Sequence, residues 1–161
     1  MKWHIFFDGK KIDSPSDKYY ADPFFIERGG KEYIFFEEYD YSKGVIACLD
    51  NKKTIVLERP FHISFPYLIE YDGEVYMCPE TGINQTIEIY KAEKFPDKWE
   101  LVKSFDTPGN CADPSIIFYK ERFWLFTTVS NDHYLHIYQS LDIDGEYELF
   151  YAGEHENSRS A

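Results

Sequence analysis

Three prolines set the frame of this chain. Pro23, Pro66 and Pro114 are separated by 43 and 48 residues, and each opens the same succession of residue types. An apolar run follows each proline, then a tight turn (ERGGKE, YDGE, YKER), then an aromatic-rich run, then a third run after a loop of variable length. Gly29-Gly30 and Asp72-Gly73 are the short turns that join neighbouring antiparallel strands. A fourth run completes each unit: KTIVLERP, KWELVKSF and YELFYAG. Four strands per repeat of about 40 to 50 residues is the pattern of a β-propeller blade. A β-sandwich also contains many short strands, but nothing in it would place an X-Pro step at the same point of every unit.

The expected fold is therefore all-β, a single partial propeller domain over residues 1–161. Its units run approximately over 21–60, 61–110 and 111–154, with a stub of a fourth at 155–161. Aromatic residues make up 19% of the chain and sit among Ile, Val and Thr, as strands favour. KWHIFF, before the first unit, is expected to be the outer strand of a last blade that latches a ring. Three blades cannot close a ring, and open edges and apolar faces need covering. Two readings stay open: a piece of a longer propeller, or a homo-oligomer or mixed assembly that completes the ring.

Charge and composition exclude several partners. A net charge of -12, from 29 acidic and 17 basic residues, repels nucleic acid and anionic lipid surfaces. The opening MKWHIFFDGKKIDSPSDKYY has only a short apolar stretch, broken by Asp8 and Gly9, so neither a signal-peptide core nor a membrane span is expected and the location is read as cytoplasmic. Cys48, Cys78 and Cys111 are an odd number without paired spacing, which points to reduced, buried thiols rather than disulfides or a zinc site. No Gly-rich phosphate loop, Ser/His/Asp spacing or Cys/His cluster occurs, so neither a cofactor nor a metal is expected.

The strings ADPFFI, YIFFEEY, HISFPYLIEYDGEVYMCPE, YKAEKFPDKWEL and ADPSIIFYKERFWLF resemble the five-bladed, glycosidase-related propeller domain of plant glucosamine inositolphosphorylceramide transferases and bacterial sugar-modifying proteins. The resemblance runs from about Trp3 to Ala161. Where the family passes into its fourth blade through an Arg-Pro-Ala-Gly-like turn, this chain has Arg159-Ser160-Ala161, which favours the fragment reading. The wider clan includes arabinanases, xylosidases, invertases and levansucrases. The resemblance implies a central funnel facing a carbohydrate, with carboxylates projecting from the innermost strands.

Asp22 and Asp113 each stand directly before the proline that opens an inner strand, so blades arranged around one axis would bring them together. Glycoside hydrolysis requires a carboxylate as base or nucleophile and a carboxylic acid across the bond. By resemblance, Asp22 matches the clan's base or nucleophile, and Asp113 matches the aspartate that tunes the acid and holds substrate. An Asp before Pro can equally serve only to shape its turn. Glu80, at a strand end interrupted by Pro79, is the candidate acid or sugar ligand, although many of the clan's enzymes take the acid from a fourth blade.

Glu37 and Glu38 alternate faces, so only one can line the funnel as a substrate-binding group; a solvated pair at a strand end is the alternative. His62 is read as replacing the aspartate of the second unit and binding a sugar hydroxyl or a carboxylate, with a structural histidine as the alternative. Tyr19, Tyr20, Phe24, Phe65, Tyr67 and Trp124 could stack on sugars, but are expected mostly to pack between blades. The functional expectation is a carbohydrate-binding or carbohydrate-acting domain, glycoside hydrolase-like if active. The rival is a non-catalytic sugar-binding or assembly module.

Overall fold

The structure is a computed structural model and describes residues 4–129 and 134–154; the expected stub at 155–161 lies outside the described residues. A hairpin of β1 (Ile5–Phe7) and β2 (Lys10–Ile12) precedes three four-stranded antiparallel sheets. The first holds β3 (Tyr19–Arg28), β4 (Lys31–Tyr39), β5 (Gly44–Leu49) and β6 (Lys53–Leu57). The second holds β7 (Ser64–Tyr71), β8 (Glu74–Glu80), β9 (Thr86–Lys94) and β10 (Lys98–Asp106). The third holds β11 (Cys111–Tyr119), β12 (Arg122–Val129), β13 (Tyr134–Ser140) and β14 (Glu148–Glu154). Each sheet is a simple up-and-down meander. In each, the strand that opens on the Pro step is its first.

The turns follow from local chemistry. Asp72 and Gly73 both take positive φ (51° and 78°), the backbone that a two-residue hairpin needs and that Gly supplies without steric cost.

Strand alternation builds the core between sheets. Val75 and Met77 of β8 point to the first sheet, where they meet Ile26, Phe35 and Ile46, together with Ile63 of the link before β7. Tyr76 and Cys78, one residue out of step, point to the third sheet and meet Ile116, Phe123 and Leu125. Full burial of each such side chain stabilises by about 1.5–3 kcal/mol, so every sheet depends on its neighbour. The first strand of the middle sheet, β7, packs against both β3 and β11, which puts the three first strands on the axis side of a propeller.

Within the amino-terminal run expected as the outer strand of a last blade, the described strand β1 pairs with β2 in a separate two-stranded sheet. Ile5 of β1 pairs across to Ile12, and the hairpin covers the first sheet on the side away from the second, with Ile5 packed beside Tyr20, Ile34, Phe36 and Ala47. The third sheet's strands leave Ile117, Phe150 and Tyr151 exposed.

Candidate functional site

Each inner strand carries the same irregularity. In β3 the pairing steps from Ala21↔Glu37 to Phe24↔Phe35, so Asp22 and Pro23 together oppose Phe36. In β7 it steps from Ser64↔Glu80 to Tyr67↔Cys78, and in β11 from Ala112↔Thr128 to Ser115↔Phe126. These are β-bulges whose first residue is left-handed: Asp22, Phe65 and Asp113 have φ of 50°, 52° for the last, and 45° for the phenylalanine. The following proline has no N–H, so the ladder is interrupted without an unsatisfied donor. Asp tolerates this backbone because its short side chain can bond locally; a phenylalanine there is strained by of order 1 kcal/mol or more.

The bulges place one residue per sheet at equivalent points, and the strand opposite supplies a second. The first set is Asp22, Phe65 and Asp113; the second, read from the register, is Glu37, Glu80 and Thr128. His62 was expected at the aspartate position of the second unit, and the structure puts Phe65 there instead. His62 precedes β7 by two residues because the bulge is fixed by Pro66, not by the start of the run.

Glu37 is the centre of the cluster. Only 5% of it is exposed, and its carboxyl is pushed up to about 8, first by burial and then by the negative charges of Asp22 and Glu80. His62 accepts the Gly44 N–H at Nδ1 (2.9 Å), which leaves the ring proton on Nε2, 3.5 Å from Glu37 Oε1. Burial holds His62 below its usual pKa against the opposing pull of Asp22, which keeps this tautomer neutral. Gly44 is the hinge pin of the arrangement: a Cβ there would lie 2.5 Å from the Ile63 carbonyl, 2.7 Å from Glu37 Oε1 and 2.8 Å from His62 Cε1.

Glu80 serves two partners. Its charge bears on Glu37, and its Oε2 accepts the Asp113 N–H at 2.9 Å, tying the second sheet to the third. Asp113 is itself 8% exposed, whereas Asp22 is half-buried. The structure thus connects Asp22, Glu37, Glu80, His62 and Asp113.

Glu38 belongs elsewhere. It is 3% exposed on the other face of β4, paired with Lys18 at 2.6 Å and with Lys53. Burial raises its pKa, but the two lysine hydrogen bonds outweigh burial and hold it below the usual value. Neither glutamate is the solvated strand-end group that was the alternative reading. Glu38 is a structural ion-pair centre, in contrast with its expected role as a sugar ligand.

The three cysteines are buried. Among the stacking candidates, Tyr20 packs on Phe36, Phe24 lies edge-on to Phe65 and Tyr67, and Trp124 lies edge-on to Phe150. Among the described residues, no group of three or more His, Cys, Asp or Glu is placed to hold a metal ion. No helix among them is long and apolar enough to cross a membrane.

The signals for Phe65 and for the Glu37–Glu80 relation were present in the sequence. The offset of 43 residues that relates Pro23 to Pro66 also carries Asp22 onto Phe65 and Glu37 onto Glu80. Gly44 had no such signal, since its need arises from residues of another sheet connection.

Solved structures share this architecture. A family 117 glycoside hydrolase from the marine bacterium Zobellia galactanivorans superposes with a TM-score of 0.65 at 16% identity, over 83% of this chain and 55% of that one. An exo-β-1,3-galactanase from Clostridium thermocellum gives 0.64 at 12% identity, over 83% of this chain and 35% of the other. The fold is thus a β-propeller of the five-bladed glycosidase type, represented by three four-stranded blades.

The pattern of one family, "Glucosamine inositolphosphorylceramide transferase 1, N-terminal", matches residues 8–155, and the chain belongs to that family. Glucosamine inositolphosphorylceramide transferase 1 of Oryza sativa subsp. japonica is 32% identical over 82% of this chain, and that of Arabidopsis thaliana 31% over 70%. The chain spans 18% and 16% of the length of these two relatives.

Proposed function

We propose that the carboxylate-lined end of the inner strands is a carbohydrate-recognition site. The observation that carries this reading is the repeated left-handed bulge at Asp22 and Asp113, linked through Glu80, whose charge acts with that of Asp22 on Glu37 and whose Oε2 accepts the Asp113 N–H. Sugar hydroxyls donate to carboxylates, so Asp22 and Asp113 are the acceptors. Glu37, protonated up to about 8, supplies the complementary donor to a hydroxyl or ring oxygen. The glycosidase names of the fold neighbours, and the sugar transfer named for the family, support a sugar as the ligand.

A second reading, glycoside hydrolysis, draws on one specific observation: a carboxyl that keeps its proton at neutral pH beside a carboxylate is the electrostatic requirement of an acid and base pair. In that case Asp22 activates water or attacks the anomeric carbon, Asp113 positions the sugar, and Glu37 rather than Glu80 carries the proton. Glu80 is already committed as acceptor of the Asp113 N–H. Against a strict hydrolase stands the adjacency of Asp22 and Glu37 on paired strands of one sheet, since hydrolysis places its two carboxyls across the bond.

The test is calorimetric titration with galactose, glucosamine and β-1,3-galactotriose. Asp22→Asn and Asp113→Asn, each removing a charged hydrogen-bond acceptor, should weaken binding by roughly 10- to 100-fold. Wild-type protein that binds none of the three, or variants that bind as tightly as wild type, would overturn the reading. Release of p-nitrophenol from aryl glycosides by wild type, lost in Asp22→Asn, would select the hydrolytic version.

A further inference from the structure

A cavity of about 270 Å³ opens between the second and third sheets, beside the carboxylate cluster. His62 and Glu80 form its wall on the cluster side, so it is continuous with the site around Glu37 rather than separate from it. Its other boundaries are Gly82, Ile83, Asn110, Cys111 and Ala112.

The turn Gly82–Asn84 that edges this cavity is held firmly. Gly82 sits so close to the next sheet that a Cβ would lie 2.3 Å from the Cys111 carbonyl oxygen. Asn84 N–H donates to the Thr81 carbonyl at 2.9 Å, Gln85 N–H to that of Gly82 at 2.8 Å, and Thr107 N–H to that of Gln85 at 2.9 Å. Beside the exposed Asn84 and Gln85, this braced turn presents an isoleucine to solvent, Ile83, 63% exposed. Asn110, also exposed, brings an amide able to donate and accept across the opening. An apolar side chain on a rigid turn, an amide opposite and a carboxylate at the inner wall match the mixed surface of a pyranose, with its C–H face and its hydroxyl edge.

The volume is just under the lower end of small-molecule sites, about 300 Å³, which suits one sugar ring and not a long chain. We infer that this cavity is a second sugar subsite, so that the ligand is at least a disaccharide with one unit over Asp22 and Glu37 and the next against Ile83. The inference rests on the carbohydrate reading of the carboxylate cluster.

The experiment compares galactose with β-1,3-galactobiose, and glucosamine with its β-1,4-linked dimer, on wild type and on Ile83→Ser. Disaccharide should bind wild type about tenfold more tightly than monosaccharide, the gain expected from covering part of one aliphatic side chain. Ile83→Ser should abolish that gain and leave monosaccharide affinity unchanged. In parallel, the ¹³C-labelled methyl groups of Ile83 should shift with disaccharide and stay still with monosaccharide. Monosaccharide binding with no disaccharide gain, or a gain that survives in Ile83→Ser, overturns this subsite alone. Absence of binding by all four sugars overturns the carbohydrate reading and the subsite with it.

Discussion

Replacing Glu37 by glutamine should change how stability depends on pH, and the sign follows from where the proton sits. In the unfolded chain a glutamate ionises near 4.5, whereas in the fold Glu37 keeps its proton to about 8. Between those values the folded protein binds a proton that the unfolded chain has released, so raising the pH favours unfolding. The slope is about 1.4 kcal/mol per pH unit, and between about pH 5 and about pH 7.5 the loss reaches about 3 kcal/mol. Against a usual total of roughly 5–15 kcal/mol, that is a large fraction. Glutamine keeps the shape and hydrogen-bonding capacity but cannot ionise, so Glu37→Gln should match wild type near pH 5 and exceed it by about 3 kcal/mol near pH 7.5. Urea unfolding followed by tryptophan fluorescence at a series of pH values measures the difference. Taking the difference removes the general repulsion of a chain with net charge -12, which acts on both proteins. Parallel pH profiles for wild type and Glu37→Gln would refute the assignment of the proton to Glu37.

The partners of Glu37 and its neighbour on the strand give three further expectations. Asp22→Asn removes one of the two charges that raise Glu37, so NMR titration of the Glu37 carboxyl carbon should find its midpoint below 8. Lys53→Met leaves Glu38 with Lys18 alone, at a cost of about 1–2 kcal/mol at neutral pH. Because Glu38's folded pKa is depressed, its stabilisation is present above 4.5 and is lost as pH falls through the folded value, so the Lys53→Met deficit in urea unfolding should shrink in acid. Gly44→Ala introduces a Cβ 2.5 Å from the Ile63 carbonyl and should destabilise by about 1–3 kcal/mol, with a shift of the His62 ring signals in NMR because the Gly44 N–H no longer reaches Nδ1 in its present geometry.

What the sequence made legible depends on how local the cause is. The strand pairs, the Asp-Gly hairpin and the division into four-strand sheets follow from alternation and turn chemistry within a few residues, and the proline period exposes them directly. Asp22 and Asp113 were legible for the same reason, because each is bound to its proline by the bulge. The choice between Glu37 and Glu38 was not. Alternation says that they face opposite ways, but which way is inward is decided by Phe35 and by the lysines at positions 18 and 53, which come from another strand and from the segment before β3. His62 is close to Pro66 in sequence but not equivalent to Asp22, because the register counts residues from the bulge and puts Phe65 at that position.

The two glutamates also show how one strand can hold opposite charge states side by side. Both are buried to nearly the same degree, 5% and 3% exposed, so burial alone would push both up. Glu38 receives two lysine ammoniums and ionises; Glu37 meets only negative charge from Asp22 and Glu80 together with a neutral imidazole, and stays protonated. Exchanging the environments requires only the two-residue period of the strand. A propeller blade therefore separates a structural carboxylate, which fastens the outer face of the first sheet, from a proton-holding carboxyl on the side where the inner-strand bulges present Asp22 and Asp113. Double replacement of Glu37 and Glu38 by glutamine should combine the two pH dependences with opposite sign. Near neutral pH the gain from the first should offset much of the loss from the second, and in acid neither effect should remain. A double variant whose unfolding free energy still tracked pH as wild type does would show that neither Glu37, between 4.5 and about 8, nor Glu38, below 4.5, sets the pH dependence.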